Sequence, residues 1–197
     1  LVEKHYGKYA KSDSDGLVHL NTAMASDGIF VYVPAGVRVN KPVQVVNLVQ
    51  AESDTFNQHR NLIIVEAGAE ISIIICDHTL APKKFLTNAV TEVYVGEAAH
   101  FDIIRVQNEH NAAGKVTHTF IHQEKNSVTS SNNMSLHDGL IRNSTYHYLG
   151  GERAETSSSG LYLSDKWQHI DNYVNVDHAF PKCTSNQLFK GVLDEMA

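Results

Sequence analysis

This sequence lacks long apolar runs, an excess of basic residues and paired cysteines. No apolar stretch approaches the ~20 residues that cross a bilayer, so the chain reads as soluble, with no membrane partner. Sixteen Lys and Arg stand against 22 Asp and Glu, a formal net charge of -6, which leaves no basic stripe and argues against a nucleic-acid partner. The two cysteines, Cys76 and Cys183, lie far apart and form no CxxC pair, arguing against a disulfide framework and a self-contained zinc site. A reducing, cytoplasmic setting is the expectation. No GxSxG, Walker A, HExxH or Rossmann glycine signature occurs, so hydrolase, nucleotide-binding and metalloprotease readings have no positive support. An initial Met and a signal-peptide pattern are missing too, and Leu193 to Ala197 follow directly on a strand-like run. The chain reads as a fragment cut at one or both ends.

What is present is short alternating segments broken by turns. Leu1, Val2, His5, Tyr6 and Tyr9 have roughly helical spacing, which predicts a short amphipathic helix over residues 1–11, and Asp13 to Gly16 reads as a loop. From Gly28 the period becomes two: Ile29-Val31-Val33 alternates with Phe30-Tyr32, and short strands of three to six residues follow. Leu62 to Val65, the turn Glu66-Ala67-Gly68 and Ile71 to Ile75 make a close copy. The last run carries apolar residues on both faces and predicts a strand covered on two sides. Further copies turn at Gly96, Glu124, Gly151 and Pro181. With Gly36 and Gly68 these turns are separated by 32, 28, 28, 27 and 30 residues. A period near 28 with no helix in the unit points to an all-β β-solenoid of about six coils with its turns stacked in a column. A two-sheet sandwich or jelly roll, which also uses short alternating strands, stays open. The division is 1–27 as lead-in and 28–197 as the β-helix core, whose late Ser/Thr/Asn-rich segments suit polar ladders.

Chemistry-bearing side chains concentrate between Leu140 and Asp194: Arg142, Glu152, Arg153, Gln168, Asp171, His178, Cys183, Ser185, Gln187 and Lys190 outnumber what an exposed face needs. Gly150-Gly151, Gly160 and Ser164-Asp165-Lys166 read there as strand breaks. His178 and Cys183 sit at the edges of a turn beside Asp177, Lys182 and Ser185, where a thiolate is exposed and stabilised. They are the metal candidates, with a purely structural use as the competing reading. His118, His122 and Glu124 share one side of a strand, but HxxxHxE is looser than the HxH of metal-binding barrels, and the twelve histidines are scattered. Cys76, inside Ser72 to Asp77, reads as a buried inert thiol.

The segments Arg142, Leu149 to Ala154 (LGGERA), Gly160-Leu161-Tyr162, Gln168 with Asp171, and His178 to Val192 (HAFPKCTSNQLFKGV) resemble the SufB/SufD family of iron–sulfur cluster assembly proteins, SufD more than SufB. Asp27 to Gly36 with Lys41-Pro42-Val43 looks like that family's opening coil. The resemblance implies a right-handed parallel β-helix and a non-enzymatic scaffold subunit that pairs with a SufB-like paralogue and a SufC-like ATPase. It implies no cofactor held firmly by this fragment and an iron–sulfur cluster on the full complex. The family's later coils and the helical region that docks the ATPase are absent from this sequence, and its last strand is expected to be a sticky end that drives homodimerisation in isolation. The rival is a carbohydrate-active β-helix lyase or hydrolase using Asp138, Glu152, Asp171 or Asp177, whose offsets from the turns differ and predict no stacked carboxylates. A solenoid with no cluster role is the third reading.

Overall fold

Alternating side chains make strands, and short turns of nearly constant spacing bring each strand beside its counterpart one repeat later. The computed structural model describes residues 1–10, 15–50, 52–80, 83–137 and 139–196. Two helices, α1 (Val2–His5) and α2 (Gly16–Met24), precede β1 (Phe30–Val33), β2 (Val43–Val49), β3 (Thr55–Val65), β4 (Glu70–Thr79), β5 (Phe85–Val95) and β6 (His100–Asn108). The chain continues through β7 (Ala113–Gln123), β8 (Val128–His137), β9 (Leu140–Leu149), β10 (Glu155–Ser164), β11 (His169–Asp177) and β12 (Thr184–Leu193). Odd strands form one sheet, ordered β1-β3-β5-β7-β9-β11, and even strands a second, β12-β10-β8-β6-β4-β2. All the strand pairings are parallel, each joining a strand to the one two places further on. This is a parallel β-helix of about six coils, and a sandwich of antiparallel hairpins is ruled out.

The turns stack as a column, though not in the alignment that the glycines suggest. One residue per turn is left-handed: Gly36, Gly68, Ala98, Asn126, Arg153 and Lys182. In five successive steps its N–H donates to a carbonyl of the next coil: Gly36 to Ala67, Gly68 to Glu97, Ala98 to Lys125, Asn126 to Glu152 and Arg153 to Pro181, at 2.8–3.3 Å. Gly96, Glu124 and Gly151 therefore lie two places before the left-handed residue and Pro181 one place before it, whereas Gly36 and Gly68 occupy it. Beyond the second coil the stacked ladder over-determines a conformation that costs a non-glycine residue roughly 1–2 kcal/mol, so glycine ceases to mark it.

Inward positions near the turn column carry the apolar core, where Ile63, Ile73, Val93, Phe101 and Ile121 pack together. Each such buried side chain stabilises by about 1.5–3 kcal/mol. Three sequence expectations are corrected here. Ile71, Ile73 and Ile75 are buried while Ser72, Ile74 and Cys76 are half-exposed, so β4 is covered on one face only. Cys76 is consequently an outward-facing thiol, near the Gln44 amide at 3.6 Å, and not a buried one. β1, of 4 residues, keeps the short length expected and β2 has 7, whereas from β3 onward the strands are longer than the segments read: β3 runs unbroken over 11 and β10 over 10, through Gly160. Gly160 is no break because the Phe189 ring lies where its side chain would be, 2.4 Å from an added Cβ.

The lead-in lies across the outer face of the odd-numbered sheet. The helix expected over residues 1–11 is confined to α1, and α2 has no counterpart in the sequence reading. Of the loop expected over Asp13 to Gly16, the first two residues lie outside the described residues; Asp15 is the cap of α2, its carboxylate accepting the Leu17 N–H at 2.9 Å, and Gly16 opens the helix. Val18 and Asn21 are the buried residues of α2, and the Asn21 amide donates to the carbonyls of His59 and Asn88. Among the described residues no helix is long and apolar enough to cross a membrane.

Candidate functional site

The last two coils hold most of the side chains singled out by the sequence, and the fold distributes them over separate places. Glu152 and Lys182 come from successive stacked turns and pair at 2.8 Å, with Arg153 at 3.8 Å from the same carboxylate. The Lys182 hydrogen bond, then its charge, holds the Glu152 carboxyl below its usual range. Arg142 of β9 lies opposite Asp171 of β11 in register and sits 3.6 Å from it, and 3.7 Å from Asp15. Gln168 is buried, donating to Asn111 and contacting His137, both at 2.8 Å. Gln187 and Lys190 are exposed on β12.

His178 and Cys183 flank one turn. His178 is exposed and shares a 3.0 Å hydrogen bond with Ser185, while the half-buried Cys183 thiol points to the Gly151 carbonyl at 3.2 Å. His118 and His122 part company. His118 is fully buried under α2 and bonds Asp15 at 3.1 Å; burial lowers its pKa and Asp15 works against that. His122 is half-buried, 3.3 Å from Glu124, and stacks between Tyr94 and Tyr148. Among the described residues no three His, Cys, Asp or Glu side chains gather as a metal-binding group. Of the four carboxylates of the glycoside-cleaving rival, Asp138 lies outside the described residues, and Glu152 and Asp171 are tied to cations in different places, the turn column and β11.

The larger polar constellation lies inside the helix, where sequence reasoning placed only ladders. Towards the C-terminal coils the inward positions become hydroxyls and amides. Thr129 bonds Thr156 and Ser131 bonds Ser158, both at 2.9 Å across neighbouring coils. His147 is enclosed among them, 2.9 Å from both Thr156 and Ser158, and burial pushes its pKa down to about 4. Gln107, Asn143, Thr117 and Ser135 form a second network. Charges are buried in the earlier coils: Lys115 meets Asp77, Asn47 donates to Asp77 at 2.9 Å, and Glu109 accepts from Thr79. Arg105 is 5% exposed and has long bonds to Asn133 and Thr119, at 3.4 and 3.3 Å. Burial would raise the Asp77 carboxyl, but Lys115 at contact holds it below its usual range; burial pushes the Arg105 guanidinium down. Period-two alternation in Cys76-Asp77 and Gly114-Lys115 was the available signal, because it sets Asp77 and Lys115 on the inward face.

The chain has two matches to protein families. The model described as SUF system FeS cluster assembly, SufBD core domain, matches residues 47–197, and that of the SufBD protein N-terminal region matches residues 1–45. An iron–sulfur cluster assembly SufBD family protein of Staphylococcus haemolyticus is 27% identical over 200 residues, covering 98% of this chain and 41% of the relative. A SufBD family protein of Synechocystis is 27% identical over 188 residues, with 91% and 42% covered. The iron–sulfur cluster assembly protein SufB of Bacillus subtilis is 28% identical over 200 residues, with 98% and 41% covered. This chain thus spans about two fifths of the length of these relatives.

Proposed function

Because this chain belongs to the SufBD family of the SUF system for FeS cluster assembly, we propose that it serves as a SufD-like subunit of an assembly scaffold whose work is assembly, not turnover. The observation that carries this reading is the match of the family's core domain to residues 47–197, the stretch that forms nearly the whole β-helix. The choice of SufD over SufB rests on the segments Leu149 to Ala154 and His178 to Val192. In this reading the whole protein presents its β-helix to a SufB-like paralogue and to a SufC-like ABC-type ATPase in the cytoplasm. The nascent iron–sulfur cluster is cargo of the complex and is not a resident cofactor of this chain. His178 and Cys183 are the residues we assign to iron. They supply two donors, so the remaining ligands come from elsewhere in the assembly.

Tagging the full-length protein in its own cells and purifying it at low ionic strength tests the proposal. The expected result is co-elution of an ABC-type ATPase and a second SufBD-like chain in fixed proportion. Elution without either, from a lysate in which both are detected, contradicts it. Within a purified complex, Cys183→Ser and His178→Ala should lower bound iron; unchanged iron content in both variants removes the metal assignment.

A further inference from the structure

Glu92 is fully buried on the outer face of the odd-numbered sheet and accepts five N–H groups. Two come from Arg60, whose Nε and Nη2 lie 3.1 and 2.6 Å from Oε1. The other three are backbone N–H groups of the lead-in: Gly7 at 2.9 Å, Tyr9 at 2.8 Å and Ala10 at 3.1 Å. Arg60 and Glu92 belong to neighbouring strands, β3 and β5, so the sheet assembles and charge-balances this acceptor without any help from residues 1–10. Two rings four residues apart complete the contact. His5 lies 4.6 Å from the Tyr94 ring, and Tyr9 lies 5.0 Å from the His122 ring.

Apolar burial is confined to one end of this contact, where Ala10 and the half-buried Tyr9 pack with Val18, Val90 and Phe120. Among residues 1–10 the buried side chains are His5 and Ala10, while Leu1, Val2 and Tyr6 are 54%, 45% and 46% exposed. A segment held through its backbone N–H groups and two rings is a docked peptide more than a piece of core, because leaving exposes little apolar surface and returns Glu92 and Arg60 to water as an intact pair. α2 is anchored differently, through Val18 and the three-way bonding of Asn21.

We propose that Glu92 and Arg60 form a backbone-reading peptide seat from which residues 1–10 exchange, so that the seat takes the lead-in of a second copy of this chain. The fit is chemical: the seat asks for three N–H groups spaced as those of Gly7, Tyr9 and Ala10, with the Lys8 N–H between them turned back to the His5 carbonyl, for a left-handed residue, which Gly7 supplies at φ 73°, and for two rings four apart. The lead-in of another copy presents that same set.

The test uses the full chain carrying Gly7→Pro, which removes one N–H and forbids the positive φ at a position where an added Cβ meets nothing. The probe is a fluorescent peptide of the unsubstituted residues 1–10. Its expected binding, read by anisotropy, is saturable and at least tenfold tighter to the Gly7→Pro chain than to the unsubstituted one, where the tethered lead-in competes. The same peptide N-methylated at Tyr9 is expected to bind at least tenfold more weakly, a readout that leaves the fold of the chain untouched. Equal binding to both chains, or no effect of N-methylation, overturns the proposal. So does Gly7→Pro protein whose Tyr9 and Ala10 amides exchange with solvent as slowly as before, since the lead-in would then be held by something other than Glu92.

Discussion

His147 shows how one side chain ties the polar interior to pH. Its pKa is about 4 in the fold against an ordinary 6.5, because burial disfavours the charged ring. The unfolded chain therefore takes up a proton as pH falls below about 6.5 while the folded chain does not. Stability is full above that value, declines towards pH 4 and then levels, by an amount on the order of 3 kcal/mol from this group. His147→Gln, which keeps polar atoms beside Thr156 and Ser158, should reduce the difference in denaturant midpoint between pH 7 and pH 4.5; an unchanged difference would contradict the assignment. Two turn glycines make a second comparison. An added Cβ at Gly36 meets nothing, so Gly36→Ala should cost only about 1 kcal/mol of backbone strain. At Gly151 the added Cβ would lie 2.0 Å from the Lys125 backbone nitrogen. Gly151→Ala should therefore shift the thermal midpoint several times further, and equal shifts would refute the close approach. The inward side of Thr156 and Ser158 was readable from alternation, whereas the partners of His147 come from strands that only the coil pitch brings together.

At the level of elements, the stacked turns and strands followed from the repeat, and the errors have local causes. Gly160 looked like a break because a glycine in a strand pattern has no side chain to pack, yet it is needed under the Phe189 ring of the next coil. α2 escaped notice because its two buried side chains, Val18 and Asn21, include only one apolar residue, leaving little helical periodicity to read. Its start depends on Asp15, which has two tasks: capping the Leu17 N–H and facing His118. Burial would raise the Asp15 carboxyl, but the Leu17 N–H, His118 and Arg142 together hold it below its usual range. Asp15→Ala should destabilise by roughly 1–2 kcal/mol, the range of a lost cap. Asp15→Asn, which keeps the accepting oxygen, should cost less than half as much by chemical denaturation. Equal losses would mean that the ion pair, not the cap, sets the helix.

Across the whole molecule the solenoid is graded: Ile, Val and Phe fill inward positions of the early and middle coils, hydroxyls and amides fill those of the later ones, and the buried charges sit in the middle, from Asp77 of β4 to Lys115 of β7. The architecture and the family were legible from turn spacing and short segments. The internal charge cluster was not, since Asp77, Arg105, Lys115 and Glu109 are far apart in sequence and meet only when three coils close around them. The metal reading of His178 and Cys183 rests on their sides of one turn, and the iron content of the two variants tests it.

A chain that works as part of an iron–sulfur scaffold should support cluster transfer, which tests the proposed role most directly. The full-length protein, purified with its co-eluting partners under anaerobic conditions, is given ferrous iron, a sulfide source, ATP and an apo-ferredoxin, and the holo-ferredoxin formed is followed by its visible absorption. The complex containing this protein should load the acceptor well above the rate of the same mixture with the protein omitted. Equal loading in both mixtures would contradict the account.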